Sequence, residues 1–324
     1  EVKYTTNGQS VNLIYSDATQ GWIPLEDDVV ADEPVQPPTQ KAIFGYGKTS
    51  SDVSLTNLVN SSGVVAADVT GVGTARNNLA ASSYGGDKAI FGYGRTNTQV
   101  SMTNLVNNSG VVATDVSGVG TARQSLAAAS YGGDKAIFGY GTDSSLTNLV
   151  TNQGVVGNDV SGVGTARNDL AAASYGGDKA IFGYGYYYSG GVVTYSLTNL
   201  VSNTGVVAAD VTGVGTARYL LAAAGYGGDK AIFGFGTTGS VTGLTNLVSN
   251  TGVVAANVSA VGTARKGLAA AGYGGDKAIF GYGTTGSLTA ITNLVNSSGV
   301  VASDVSGVGT AREKLAAAGF SYSA

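Results

Sequence analysis

PPTQKAIFGYG, residues 37–47, and LAAAGFSYSA, residues 315–324, look like the two halves of one repeat. The whole unit, YGGDKAIFGYG, stands at 84–94, 131–141, 175–185 and 273–283, with YGGDKAIFGFG at 226–236. The Lys of KAIF falls at 41, 88, 135, 179, 230 and 277, so the period is 44–51 residues. A period of that length marks a solenoid, a propeller or an array. A solenoid has no use for matching halves at its two ends. A closed ring does, because its ends meet. Residues 315–320 are therefore expected to lie as a strand beside residues 41–47 and to complete the first unit.

Each unit reads as four short strands: LAAAS, KAIFGYG, SLTNLV and GVVAADV. YGGD supplies the first turn, where glycine permits positive φ. NSSG, NNSG, TNQG or SNTG supplies the turn between the third and fourth strands, each ending in the Gly that hairpin loops favour. No stretch shows a sustained 3.6-residue apolar period with caps. Small Ala and Gly in the first strand suit a crowded axis, and the bulkier Leu and Val fall further out. The expected fold is all-β: a six-bladed β-propeller of four-stranded blades, closed by the C-terminal strand, on a short N-terminal β-rich stem.

Composition narrows the chemistry. The 324 residues include no Cys and no His, which excludes disulfides, thiol nucleophiles, zinc fingers and Ser-His-Asp triads. Residues 1–40 carry seven acids against one base, and residues 41–324 carry 14 acids against 16 bases. The repeats are thus nearly neutral, with no basic stripe for a phosphate backbone, and nucleic acid is not an expected partner. No apolar run reaches the ~18 residues of a membrane span.

The repeat resembles the kelch family of propellers, whose blades combine a Gly-Gly element with an Arg before the inner strand. Here the Arg of TAR holds that place, although these repeats lack the kelch Trp; the one Trp is Trp22. A second resemblance lies in NGQSVNLIYSDATQGWIPLED, residues 7–27. Gly8, Ser10, Val11, Leu13, Tyr15, Asp17, Ala18, Thr19, Gly21 and Trp22 follow a pattern similar to the closing segment of β-rich domains in fibre and other virion proteins of tailed phages, cyanophages included. These resemblances imply three parts: a stem segment at 1–30, an acidic Pro-rich linker at 31–40 and the propeller at 41–324. They imply a virion location in a tail or fibre, other virion proteins as partners of the N-terminal segment, and a homotrimer, as fibre proteins commonly form. A host surface glycan or protein is the expected ligand of a non-catalytic, receptor-binding adhesin. The competing classes are a structural or decorative virion protein without a ligand, and a cellular lectin or protein-interaction propeller.

Enzymatic activity, a cofactor and a metal are not expected, because six identical constellations do not supply the differently tuned pair of groups that catalysis needs. One carboxylate per blade is too sparse for calcium. Binding residues are sought where the copies differ. The loop after KAIFGYG reads KTSSDV, RTNTQV, TDS, YYYSGGVVTY, TTGSVTG and TTGSLTA, and the pair after TAR also varies. In a four-stranded meander these two segments emerge on one face, and loops on a rigid scaffold carry recognition. The candidate residues are Tyr186, Tyr187, Tyr188, Tyr195, Tyr219, Arg95, Asn77, Gln124, Asn168 and Lys266. Arg76, Arg123, Arg167, Arg218, Arg265 and Arg312 form a second candidate set. They are either structural, pairing with Asp68, Asp115, Asp159, Asp210 and Asp304, or a ring at a pore mouth that seats an anion.

Overall fold

A computed structural model of the chain describes residues 12–17, 21–26, 39–259 and 261–323. The chain divides into two units, residues 1–36 and 37–324. In the first, β1 (Asn12–Asp17) and β2 (Gly21–Glu26) form an antiparallel hairpin. The expected linker lies outside the described residues, apart from Thr39 and Gln40.

The second unit is all-β, and no helix forms among its described residues. It begins with β3 (Lys41–Gly45), β4 (Thr56–Val59), β5 (Ala80–Tyr84), β6 (Lys88–Gly92), β7 (Thr103–Val106), β8 (Ala127–Tyr131), β9 (Lys135–Gly139) and β10 (Thr147–Val150). There follow β11 (Ala171–Tyr175), β12 (Lys179–Gly183), β13 (Tyr186–Tyr188), β14 (Val192–Thr194), β15 (Thr198–Val201), β16 (Ala222–Tyr226), β17 (Lys230–Gly234) and β18 (Thr245–Val248). The last strands are β19 (Ala269–Tyr273), β20 (Lys277–Gly281), β21 (Thr292–Val295) and β22 (Ala316–Phe320).

These strands make three-stranded antiparallel sheets, an arrangement compatible with a β-propeller. The sheets are β22-β3-β4, β5-β6-β7, β8-β9-β10, β11-β12-β15, β16-β17-β18 and β19-β20-β21. The first strand of each sheet contacts the first strand of the next, and β22 contacts both β19 and β5. The sheet assembled from both ends of the chain keeps the register of the others: Ala316 faces Gly45 and Phe320 faces Lys41, as Ala80 faces Gly92 and Tyr84 faces Lys88. Its turn is discontinuous yet makes the usual backbone bonds. Gly85, Gly132, Gly176 and Gly227 each donate to the carbonyl of Asp134, Asp178, Asp229 and Asp276 in the following sheet. Gly274 donates instead to Gln40, and Ser321 donates to Asp87. Ser321 adopts φ 62°, close to the φ 59° of Gly85.

The core lies between sheets. Ala42 and Phe44 of β3 pack into the sheet of β19 and β20, while Ile43 and, just past the strand, Tyr46 pack into the sheet of β5 and β6. A strand covered on both faces needs a continuous apolar run, which is why KAIF does not alternate. The ring of each Phe also fixes a glycine. A methyl group at position 139 would stand 2.7 Å from the Phe182 ring, and Gly45, Gly92, Gly183, Gly234 and Gly281 face the equivalent rings at 2.6–2.7 Å.

The expected fourth strand is not a regular strand. It touches the third through isolated bridges, in the first sheet Val59 with Val65 and Thr56 with Val69. The Ala66 amide bonds the Leu58 carbonyl and the Val69 amide bonds Thr56, so three steps outside match two steps inside. That mismatch is a one-residue bulge. The buried Asn57 amide bridges it, donating to the Ala66 carbonyl at 3.0 Å and to Asp68 at 2.9 Å. Asn104, Asn148, Asn199, Asn246 and Asn293 repeat the device. A bulge on an exposed edge discourages pairing with another chain, which matters because Val64 and Val69 are 61% and 50% exposed there.

Gly139→Ala is expected to destabilise the fold by about 1–3 kcal/mol through overpacking, read as a lower urea midpoint. Deletion of residues 315–324 removes β22 and leaves β3 paired with β4 alone. Cooperative thermal unfolding followed by circular dichroism is expected to disappear, and an excess of the same residues as a free peptide to restore it. A truncated chain that melts at the full-length temperature would overturn the account of this sheet.

Candidate functional site

The variable segments are brought together by the turn after each second strand. Tyr46 and Gly47 take positive φ, 62° and 105°, which reverses the chain. The Gly47 amide then donates to the Arg76 carbonyl of the next sheet at 3.0 Å. The loop that follows is tied to the residue after the Arg of its own sheet. Lys48 and Glu313 exchange backbone bonds of 2.8 and 3.0 Å, and Asn77 with Arg95, Asn168 with Tyr186, Tyr219 with Thr237 and Lys266 with Thr284 do the same. In the shortest loop a side chain substitutes: the Gln124 amide donates to the Thr142 hydroxyl at 3.0 Å. The two segments that vary between copies therefore adjoin in every sheet.

The six arginines do not line an open mouth. Arg76, Arg123, Arg167, Arg218, Arg265 and Arg312 are all fully buried. Arg312 donates from Nε to the Tyr46 carbonyl at 2.8 Å and from Nη2 to the Asn57 side chain at 2.8 Å. Its guanidinium stacks 4.3 Å from the Tyr282 ring centre. The aspartates bond mainly to threonine: Asp68 accepts from the Thr310 amide and, at 2.6 Å, its hydroxyl, with Arg312 3.9 Å away. Burial alone would raise the Asp68 pKa, but the Thr310 and Asn57 hydrogen bonds and the Arg312 charge hold it below the usual carboxylate range. An anion could reach these arginines only by displacing packed side chains.

The other candidates separate into three groups. Asn77 and Asn168 are buried and bonded within the protein, to Asp52 and Asp143 of the preceding loops. They brace neighbouring loops and are not free for a ligand. Arg95 and Tyr188 are exposed, whereas Tyr187, Tyr195, Gln124 and Lys266 are half-buried. Tyr186 and Tyr219 come together as a tilted ring pair, 4.9 Å between centres. Burial, then the charges of Asp169 and Asp143 and the Tyr219 ring, push the Tyr186 hydroxyl up to about 12. Tyr186–Tyr188 also form β13, which pairs with β14 as a small hairpin standing on the fourth sheet.

Beside these tyrosines lies a central cavity of about 60 Å³ to which every sheet contributes two residues. Its apolar wall is Leu79, Leu126, Leu170, Leu221, Leu268 and Leu315. The residue before each leucine, Asn78, Ser125, Asp169, Leu220, Gly267 or Lys314, completes the lining. The backbones of these six form one hydrogen-bond cycle. Asn78 donates to Lys314, Ser125 to Asn78, Asp169 to Ser125, Leu220 to Asp169, Gly267 to Leu220 and Lys314 to Gly267, at 2.7–3.0 Å. All six hold φ between 47° and 63°, although five are not glycine. Strain of this kind costs about 1–3 kcal/mol per residue and gathers at functional sites. The pair after TAR varies between copies, and the candidates named from the sequence are its first members. The second lines the cavity, and its variation among otherwise constant copies was the available signal.

The six cavity side chains are as unlike as the repeats are alike, and Asp169 stands out. Burial pushes its carboxyl above the ordinary range, and a hydrogen bond with Ser125 and the Lys314 charge only partly offset this. Among the described residues no group of three or more acidic side chains is placed to hold a metal ion. No protein-family model matches this chain, and no curated protein matches it. A functional reading therefore rests on the face itself.

A raised carboxyl pKa means that the fold prefers the protonated acid. Its contribution is fullest below the unfolded value of about 3.8 and is lost as pH rises through the folded value. Asp169→Asn is expected to melt above the wild type at pH 7 and level with it near pH 3, in paired thermal scans. An equal difference at both values would contradict the burial assigned to this carboxyl.

Proposed function

We propose that this chain is a non-catalytic binding protein: a six-bladed β-propeller, closed by pairing of its C-terminal strand with β3, whose variable face binds a host surface ligand, a glycan. The single observation that carries the reading is convergence. The segments that differ between copies adjoin in each sheet, one variable residue from each lines a common cavity, and Tyr219, paired with Tyr186, directly precedes Leu220 of that lining. Aromatic rings offer flat apolar area with a polar edge, and neighbouring carboxylate, amide and hydroxyl groups match the hydroxyls of a sugar. The resemblance of residues 7–27 to phage fibre segments supports a virion setting, in which the stem joins other tail proteins. Several such faces on a trimer would act together and gain avidity. The sameness of the buried Arg, Asn and Phe positions supports a scaffolding role for the repeats and no catalysis.

The test is a glycan array and host surface polysaccharide probed with the full chain. Binding is expected, and Tyr186→Ala with Tyr219→Ala should weaken it by about tenfold or more, near 1.4 kcal/mol, with the melting temperature little changed. Binding that survives both substitutions would move the site elsewhere. Absence of binding to any host-surface glycan or extract would favour a structural virion protein.

A further inference from the structure

Two opposite charges line the central cavity from opposite sides. In the hydrogen-bond cycle Asp169 lies three steps from Lys314 in either direction, so the two residues are diametrically placed. Both are half-buried. Neither forms a contact ion pair among the described residues, although Asp169 holds a hydrogen bond with Ser125 and feels the Lys314 charge across the cavity. Asn78 and Ser125 occupy the arc between them on one side, Leu220 and Gly267 the arc on the other. The cavity is thus dipolar along one diameter and amphipathic across the other.

Asp169 and Lys314 compensate one another only in part, so a charge of opposite sign that reaches either one stabilises it further. A simple cation would satisfy Asp169 and face Lys314. A simple anion would satisfy Lys314 and face Asp169. A hard metal ion would want six or more oxygens, which this lining does not offer. One group that carries both signs meets both residues at once. The volume of about 60 Å³ admits a few heavy atoms and does not enclose a sugar ring.

We propose that the cavity receives a small zwitterionic group, its ammonium towards Asp169 and its carboxylate or phosphate towards Lys314. The proposal rests on the binding reading above and names the part of the ligand that enters the centre of the face. A phosphoethanolamine substituent on a surface glycan has this chemistry, and so does a free small zwitterion.

The experiment is an NMR titration of the isotope-labelled full chain with glycine and with phosphoethanolamine, and with acetate and methylammonium as singly charged controls. Saturable shifts are expected at the amides of Asn78, Ser125, Asp169, Gly267 and Lys314, with zwitterion Kd values on the order of millimolar. The controls should bind at least about tenfold more weakly. Asp169→Asn or Lys314→Met alone should remove the shifts. The double exchange Asp169→Lys with Lys314→Asp should restore them, because it reverses the dipole without removing it. Equal binding of acetate, indifference to the single substitutions, or no saturable shift with either zwitterion would overturn the proposal. Glycan arrays with and without zwitterionic substituents separate the two sources. Glycan binding that needs Tyr186 but ignores Asp169→Asn would discard this site and keep the face. Zwitterion binding without any glycan would discard the glycan reading and keep the site.

Discussion

A buried guanidinium sits at every junction between sheets, and most of the structure is arranged around it. Arg76 stacks over Tyr46 of the preceding sheet at 4.3 Å and donates to the carbonyl of Tyr93 in its own. Its backbone carbonyl accepts from Gly47 of the preceding sheet. A desolvated cation over an aromatic face is attracted by about 2 kcal/mol or more, yet stripping water from the ion costs several. The cost is offset only in part: Arg76 donates from Nε and Nη1, while its buried Nη2 has no hydrogen-bond partner among the described residues. That cost is visible in the lowered pKa of Arg76, Arg167, Arg218, Arg265 and Arg312, pushed down by burial to about 10 for Arg265. One residue type thereby orders the aromatic stacking, the turn after the second strand and the start of the next sheet.

The variable face follows from that junction. The backbone of Arg76 is pinned on one side by Gly47 and on the other by the Asn77–Arg95 exchange. The residue after these, Asn78, has little freedom and enters the left-handed region. Repeated six times, the geometry delivers six backbone amides and six carbonyls to a closed cycle, so no polar group is stranded at a crowded centre. Side chains at this position carry no packing duty, which is why Asn, Ser, Asp, Leu, Gly and Lys can all stand there. Uniformity of the buried junction thus makes the cavity free to differ.

Repetition also explains what is legible in the sequence. Strand KAIFG, the Gly turns and the matching half-repeats were legible, because each depends on local backbone preference or on apolar periodicity. The regular fourth strand was not. GVVAADV has the composition of a strand, but the Asn57 side chain takes over its ladder bonds and forces a bulge. The sequence leaves the arginines two roles, since it shows charge but not depth. Asn77 and Asn168 looked available because their partners, Asp52 and Asp143, lie 25 residues away in the chain.

An all-β chain of near-identical units, with the largest variation in two short segments per unit, is legible from the residues alone. Period, turn glycines and apolar runs act over a few residues, so they survive in a linear reading. The tertiary structure alone decided that the arginines are buried, that Tyr186 meets Tyr219, and that Asp169 lies opposite Lys314 across a cavity. Those relations join residues 33 to 145 positions apart, and only the stacking of sheets, with its burial and its cycle of backbone bonds, brings such residues within reach of one another.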